Sequence, residues 1–202
     1  MIVPVTLAGE GYVDVLVLER LADELALPHG TQYDCGGKPA LRRRLPGFNA
    51  AAARSPWVVL ADLDQEPCAA EHVHELLPQP ERFMVLRLAV RAVEAWLMAD
   101  AEALAVWLRV TPARVPGAPD QLVHTKQALV DIARSSGSSA LRQDMVPRAG
   151  SGRAVGPAYS SRIAQFVTDH WDPQRAAGSS DSLRRAMARI RALAAGGRYD
   201  AR

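Results

Sequence analysis

Glu10 stands between Gly9 and Gly11, where the apolar run IVPVTLA gives way to a helix-like pattern. Asp62 and Asp64 close a second apolar run, WVVLADLD. In a parallel α/β sheet the carboxyl ends of the strands gather along one edge, and sites are built there. If the two runs are neighbouring strands, the three acids converge. Carboxylates crowded within a few ångströms repel and raise at least one pKa unless a cation lies among them. Hard oxygen donors suit Mg²⁺ or Mn²⁺; Mg²⁺ takes few carboxylates directly and fills its shell with water and phosphate oxygens. The expected chemistry is metal-assisted work on a phosphate-bearing ligand. Asp62 and Asp64, two apart on an extended strand end, project to one side and can hold the ion. Glu10, between glycines that let a substrate approach closely, can move a proton as general acid or base. Plainer roles stay open: Asp62 and Asp64 as caps or loop polarity ahead of EPCAAEHV, and Glu10 as a turn acid at a helix N-terminus.

Other motifs narrow the field. GEGYVD has Asp14 where a dinucleotide-binding fingerprint needs its third glycine, and GGK at 36–38 lacks the frame of a phosphate loop. Lys38 still suits a phosphate contact. Arg42 and Arg43, in the RRR run at 42–44, are candidate contacts to a nucleic-acid backbone. So are Arg184, Arg185, Arg189 and Arg191, opposite an apolar stripe of Leu183, Met187, Ile190 and Leu193, although a solvated basic face explains them as well. Asp14 reads as an exposed helical acid, and His72 and His74 as solvated helix residues on different faces, a poor zinc pair. Asp100 reads as the cap of AEALAVWL. The four tryptophans are spaced as core residues.

The elements that must position these residues alternate. IVPVTLA, GTQYDCGG, WVVLADLD and RFMVLRLAV read as strands. Helical patterns follow each, the second interrupted at Pro46 and Gly47. This plan predicts an α/β fold with a mainly parallel sheet over residues 1–108, and a mostly helical extension over 109–202 packed on it. In the extension, HTKQALVDIARS, SSRIAQFVTDHW and DSLRRAMARIRALA read as helices, whereas SGSSALRQDMVPRAGSGRAVGPAYSS reads as an irregular Gly- and Ser-rich stretch and GGRYDAR as a frayed end.

Composition sets the outer bounds. A chain with 49% hydrophobic and 23% charged residues has the makings of a folded core and not of a disordered segment. Its formal charge of +2 is too small to argue for nucleic acid in bulk, but acids fall early and arginines crowd the second half, the better anionic-partner surface. Cys35 and Cys68, without a signal peptide ahead of them, read as reduced thiols of a cytoplasmic protein. No apolar run approaches the roughly 20 residues that span a bilayer, so no membrane role is expected.

GEGYVDVLVLERL and VVLADLDQE together resemble the TOPRIM domains of topoisomerases, primases and overcoming-lysogenization-defect nucleases, which carry a Glu after the first strand and an Asp-x-Asp after the third. A closer resemblance is to a bacterial TOPRIM-like family of unknown function, through VEAWLMAD and the segments GPAYSSRIAQFV and SSDSLRRAMARI. It implies Glu10 as the acid–base residue, Asp62 and Asp64 as Mg²⁺ ligands, and Glu94 as a further acidic member, although a half-buried acid paired to Arg91 or Arg87 fits Glu94 equally. Glu66 sits where some topoisomerase-type members add a third acid, but Pro67 turns the chain there. The implied function is a metal-dependent phosphodiesterase, a nuclease of phage defence or stress response. The alternative is a non-catalytic module that binds a partner protein or nucleic acid.

Overall fold

A computed structural model describes residues 3–194. The chain divides into two compact units, one running through Val90 and resuming at Ser182, the other Arg91–Asp181.

The first unit is built from strands and crossover helices in alternation: β1 (Val5–Gly9), α1 (Tyr12–Glu24), β2 (His29–Asp34), α2 (Lys38–Ala51), β3 (Trp57–Asp62), α3 (Ala69–Leu76) and β4 (Met84–Ala89). All strand pairs are parallel, in the order β2-β1-β3-β4. The continuous apolar runs become the interior: Val58, Val59 and Leu60 of β3 are fully buried. The polar β2 lies at an edge, where one side of the ladder has no partner strand among the described residues and exposed side chains are tolerated. The fold is α/β, as the alternation predicts.

One core cluster takes Leu41, Leu45 and Phe48 from α2, Trp57, Val59 and Ala61 from β3, and Met84, Leu86 and Leu88 from β4. Tyr33, Phe48 and Trp57 form an aromatic group within it, with centroids 4.8–5.5 Å apart. This cluster explains why α2 runs unbroken through Pro46, contrary to the expected interruption. Pro46 and Gly47 face solvent, so the carbonyl that loses its helical donor can turn to water, while Leu41, Leu45 and Phe48 bury the opposite stripe. The last helix, α10 (Asp181–Ala194), buries Leu183, Met187, Ile190 and Leu193 as its apolar stripe predicts. Its Ser182 Oγ accepts from Val90 N–H at 3.1 Å, joining the start of the helix to the end of β4.

The second unit is helical: α4 (Val93–Met98), α5 (Ala101–Leu108), α6 (Thr125–Arg134), α7 (Ser139–Met145), α8 (Tyr159–Asp169) and α9 (Pro173–Ala177). The division falls at Val90, ahead of the end expected at Leu108, because α4 and α5 are fastened to later helices. The Trp171 indole donates to Trp96 O at 3.2 Å, both rings being buried. The Arg175 guanidinium clamps Asp100 through Nε and Nη2 at 3.1 and 2.9 Å. Asp100 is therefore the buried half of an ion pair and not, by its side chain, the cap of α5. Within the stretch expected to be irregular, α7 forms behind Ser138, whose hydroxyl accepts from Leu141 N–H. Asp172 caps α9 in the same way, with Pro173 in the first helical position. The expected frayed end GGRYDAR lies outside the described residues. No helix among the described residues is long and apolar enough to cross a membrane.

Gly9 marks how tightly the first turn is closed. A Cβ there would stand 2.6 Å from Asp14 Cβ and 3.1 Å from the Val15 nitrogen. Gly9→Ala is expected to destabilise the fold by about 1–3 kcal/mol through overpacking. The urea midpoint should fall with an unchanged m-value, and an unchanged midpoint would mean that the turn yields freely.

Candidate functional site

The site grows from one pairing. β1 and β3 lie side by side with Gly9 opposite Leu60, so the residue after β1 and the last residue of β3 leave the sheet together. There the Asp62 N–H donates to Glu10 Oε1 at 3.1 Å. The turn below is held by Asp14, whose Oδ2 accepts from Gly11 N–H at 2.8 Å. Asp14 is buried, which corrects its reading as an exposed acid: it closes the β1–α1 turn.

The β2–α2 connection brings the third component. Gly36 and Gly37 have φ of 75° and 114°, a region that favours glycine, and Gly37 N–H donates to the Glu10 carbonyl at 2.6 Å. This places Lys38 at the start of α2. Its Nζ donates to Asp62 O at 2.7 Å and to Asp64 Oδ2 at 2.5 Å, and lies 3.8 Å from Glu10 Oε1. Asp64 adopts φ of 55°, a left-handed conformation that Asp tolerates better than most residues. The sequence placed Lys38 against a phosphate. In the structure its ammonium lies among the acids, where it opposes part of their mutual repulsion. The signal was present in the GGK that follows β2, the strand beside Glu10's own, and opens α2.

Arg42, one helical turn beyond Lys38, also has an internal partner. Its Nη2 lies 3.3 Å from His72 Nε2, while His72 Nδ1 lies 2.9 Å from Glu75 Oε2. A guanidinium only donates, so the Arg42 contact uses Nε2 as its acceptor, and the Glu75 carboxylate faces the other ring nitrogen. His72 is buried, unlike the solvated residue expected, whereas His74 is exposed as expected. Arg43 is exposed on α2. Of the three expected nucleic-acid contacts, two are thus tied to the protein's own side chains or backbone.

Glu94 belongs to the second unit. It is buried, with Oε1 accepting from Tyr159 Oη at 3.2 Å and lying 3.5 Å from Lys126 Nζ. Its Oε2 has no hydrogen-bond partner among the described residues. Tyr159 and Lys126 thus both engage one oxygen of the buried acid.

Among the described residues no group of three or more His, Cys, Asp and Glu side chains is arranged to hold a metal ion. The donor types at the sheet edge fit Mg²⁺ nonetheless, since that ion is commonly held by one or two carboxylates with water and substrate phosphate completing its shell. Asp62 and Asp64 would be the two carboxylates to hold it, Asp64 on leaving the Lys38 ammonium.

Burial pushes the Glu10 carboxyl above its ordinary value, and the neighbouring Asp64 adds to the rise. The Asp62 N–H, the Lys38 ammonium and Arg42 act in the opposite direction without cancelling it. An all-parallel α/β unit with a Glu and two Asp at its carboxyl edge, one lysine threaded among them, is the class of protein that fold and site define. No protein-family model, no curated protein and no solved structure matches the chain.

The raised Glu10 value has a sign in stability. The folded state holds the proton more firmly than the unfolded chain, so the charged carboxylate is a liability at neutral pH. That liability fades as pH falls through the folded value towards the unfolded one. In EDTA-treated protein, Glu10→Gln is expected to be more favourable relative to wild type near pH 7 than near about pH 4. Urea melts across that range check it, and a stability difference independent of pH would overturn the assignment.

Proposed function

We propose that the protein is a Mg²⁺- or Mn²⁺-dependent phosphodiesterase of TOPRIM type, a nuclease serving phage defence or stress response. The observation that carries this reading is the hydrogen bond from Asp62 N–H to Glu10, which marks two strand ends far apart in sequence converging on one acidic edge. The resemblance of the Glu10 and Asp62–Asp64 segments to TOPRIM domains supports it. Asp62 and Asp64 would hold the ion, which when bound supplies Lewis-acid polarisation of a phosphodiester. Glu10, partly buried and held above the ordinary carboxylate range by that burial, is suited to taking up and returning a proton. Lys38 offers a second positive group for the non-bridging phosphate oxygens once Asp64 turns to other work. Glu94 has no part in the proposed chemistry, since Tyr159 and Lys126 already engage it.

A second reading has its own observation. Lys38 already pairs with the acidic edge, through the Asp62 carbonyl and the Asp64 carboxylate, which a structural role requires and catalysis does not. Under that reading the chain is a binding module for a partner protein or nucleic acid, without turnover.

Two measurements decide. Cleavage of DNA and RNA with Mg²⁺ or Mn²⁺ is expected to fall about 10²-fold or more in Glu10→Gln and in Asp62→Asn; equal activity in wild type and both variants would end the enzymatic reading. Mn²⁺ titration followed by electron paramagnetic resonance is expected to show tighter binding in Lys38→Met, where Asp64 no longer has an ammonium to release, and binding lost in Asp62→Asn. Unchanged affinity in both variants would remove the ion from this edge.

A further inference from the structure

The second unit carries a groove of about 410 Å³ lined by Arg134, Arg142, Gln143, Val146, Pro147 and Arg148. Three guanidiniums and no carboxylate line it. The acids closest in sequence are accounted for. Asp144 is gripped by Arg162 through Nε and Nη2, each at 2.8 Å, and Asp131 lies 3.8 Å from Arg134 Nε with both side chains more than half exposed. A contact of that kind is weak in water and leaves the remaining guanidinium donors usable.

The groove is also built and not merely a chance of surface composition. Arg142 Nη1 donates to Ser136 O, which fixes one guanidinium across the turn between α6 and α7. The loop carrying Arg148 is pinned at its base, where Gly156 N–H donates to Met145 O at 2.9 Å and Ala158 N–H to Asp144 O at 3.0 Å. Gly156 permits that closure, since a Cβ there would stand 2.3 Å from Asp144 O. Between the pins, Gly150 and Gly152 take φ of 75° and 66° and turn the loop back on itself.

From these features we infer that the groove binds the phosphate backbone of a single-stranded nucleic acid. Guanidinium groups match phosphate oxygens two at a time, and three of them in one groove present more donors than any single carboxylate can use. Val146 and Pro147 give an apolar surface against which a sugar or base face can rest, and the Gln143 amide can donate and accept. The groove is open, which admits a chain passing through and not only an enclosed small molecule. This inference does not depend on cleavage at the Glu10 edge.

The test uses the full chain carrying Asp62→Asn in EDTA, so that turnover and divalent ions at the acidic edge play no part. Binding of a fluorescein-labelled oligothymidylate is followed by anisotropy over a range of salt. Arg134→Ala with Arg148→Ala is expected to weaken binding at least 10-fold and to reduce the slope of log affinity against log salt by about 0.7 per arginine removed. Arg148→Lys alone, which keeps charge but loses the planar fork, should keep the slope while losing part of the affinity. Equal urea midpoints for all the variants exclude unfolding as the cause. Unchanged affinity and slope in the double variant would overturn the inference, as would displacement of the oligonucleotide by an acidic peptide but not by polyphosphate, which would make the occupant an acidic protein segment. Binding retained in a protein whose wild type cleaves nothing would sink the nuclease reading and leave this one standing.

Discussion

The parallel pairing of β1 with β3 is the constraint on which the first unit depends. Two strands separated by a complete β–α unit lie side by side because β3 is apolar on both faces and is buried only at the centre of a sheet. Once they pair, Glu10 and Asp62 have no choice but to meet. The fold answers the crowding with a backbone donor and an ammonium. The Asp62 N–H satisfies one oxygen of Glu10, and Lys38 binds the Asp62 carbonyl and the Asp64 carboxylate. These contacts differ in weight. A charged donor on a partly buried carbonyl is worth about 1.5–3 kcal/mol, whereas a pair with a carboxylate as exposed as Asp64 contributes about 0–1 kcal/mol. Lys38 is therefore anchored through the backbone of β3 and only loosely through Asp64.

The second unit meets the same problem with a different solution. Asp100 is buried and fully engaged, with both oxygens on Arg175 and one also accepting from Asp172 N–H at 2.9 Å. Breaking such a pair from one side leaves a buried charge uncompensated, so its role is to fix where α9 meets the start of α5. Glu94 is less complete, with one oxygen engaged by Tyr159 and Lys126 and the other without a partner among the described residues. Resemblance to a TOPRIM-like family, through VEAWLMAD, is what implied Glu94 as a further acidic member. Its partners lie more than thirty residues downstream, in helices whose arrangement no local pattern discloses.

What the sequence disclosed follows the range of the interactions involved. Strand runs and helical stripes are local patterns, and β1, β3, β4 and α10 appear where apolar spacing puts them. The convergence of Glu10 with Asp62 was legible because a parallel α/β plan sends strand ends to one edge whatever the details. Three features were not. The continuous α2 depends on Phe48 finding Tyr33 and Trp57 in the core, which outweighs Pro46. The burial of His72 depends on Arg42 reaching it across thirty residues. The helices α7 and α9 are short, and their caps at Ser138 and Asp172 sit in stretches whose Gly, Ser and Pro content reads as loop.

Lys38 bears most directly on how the acidic edge works. An edge carrying Glu10, Asp62 and Asp64 without a cation would draw any divalent ion strongly and give it up slowly. Under the proposed reading, with the ammonium already in place, an incoming ion would have to take Asp64 from Lys38, which would weaken resting affinity. An incoming phosphate gives Lys38 a new partner, which offsets that loss. Under the proposed reading, ion and phosphate therefore assist one another: each makes the other's arrival less costly, because together they replace one lysine–aspartate contact with two. Coupling of this kind is reciprocal by thermodynamic necessity. It requires that Lys38 stay within reach of both partners, and the anchor to the Asp62 carbonyl, fixed by the strand and indifferent to what Asp64 does, provides that reach.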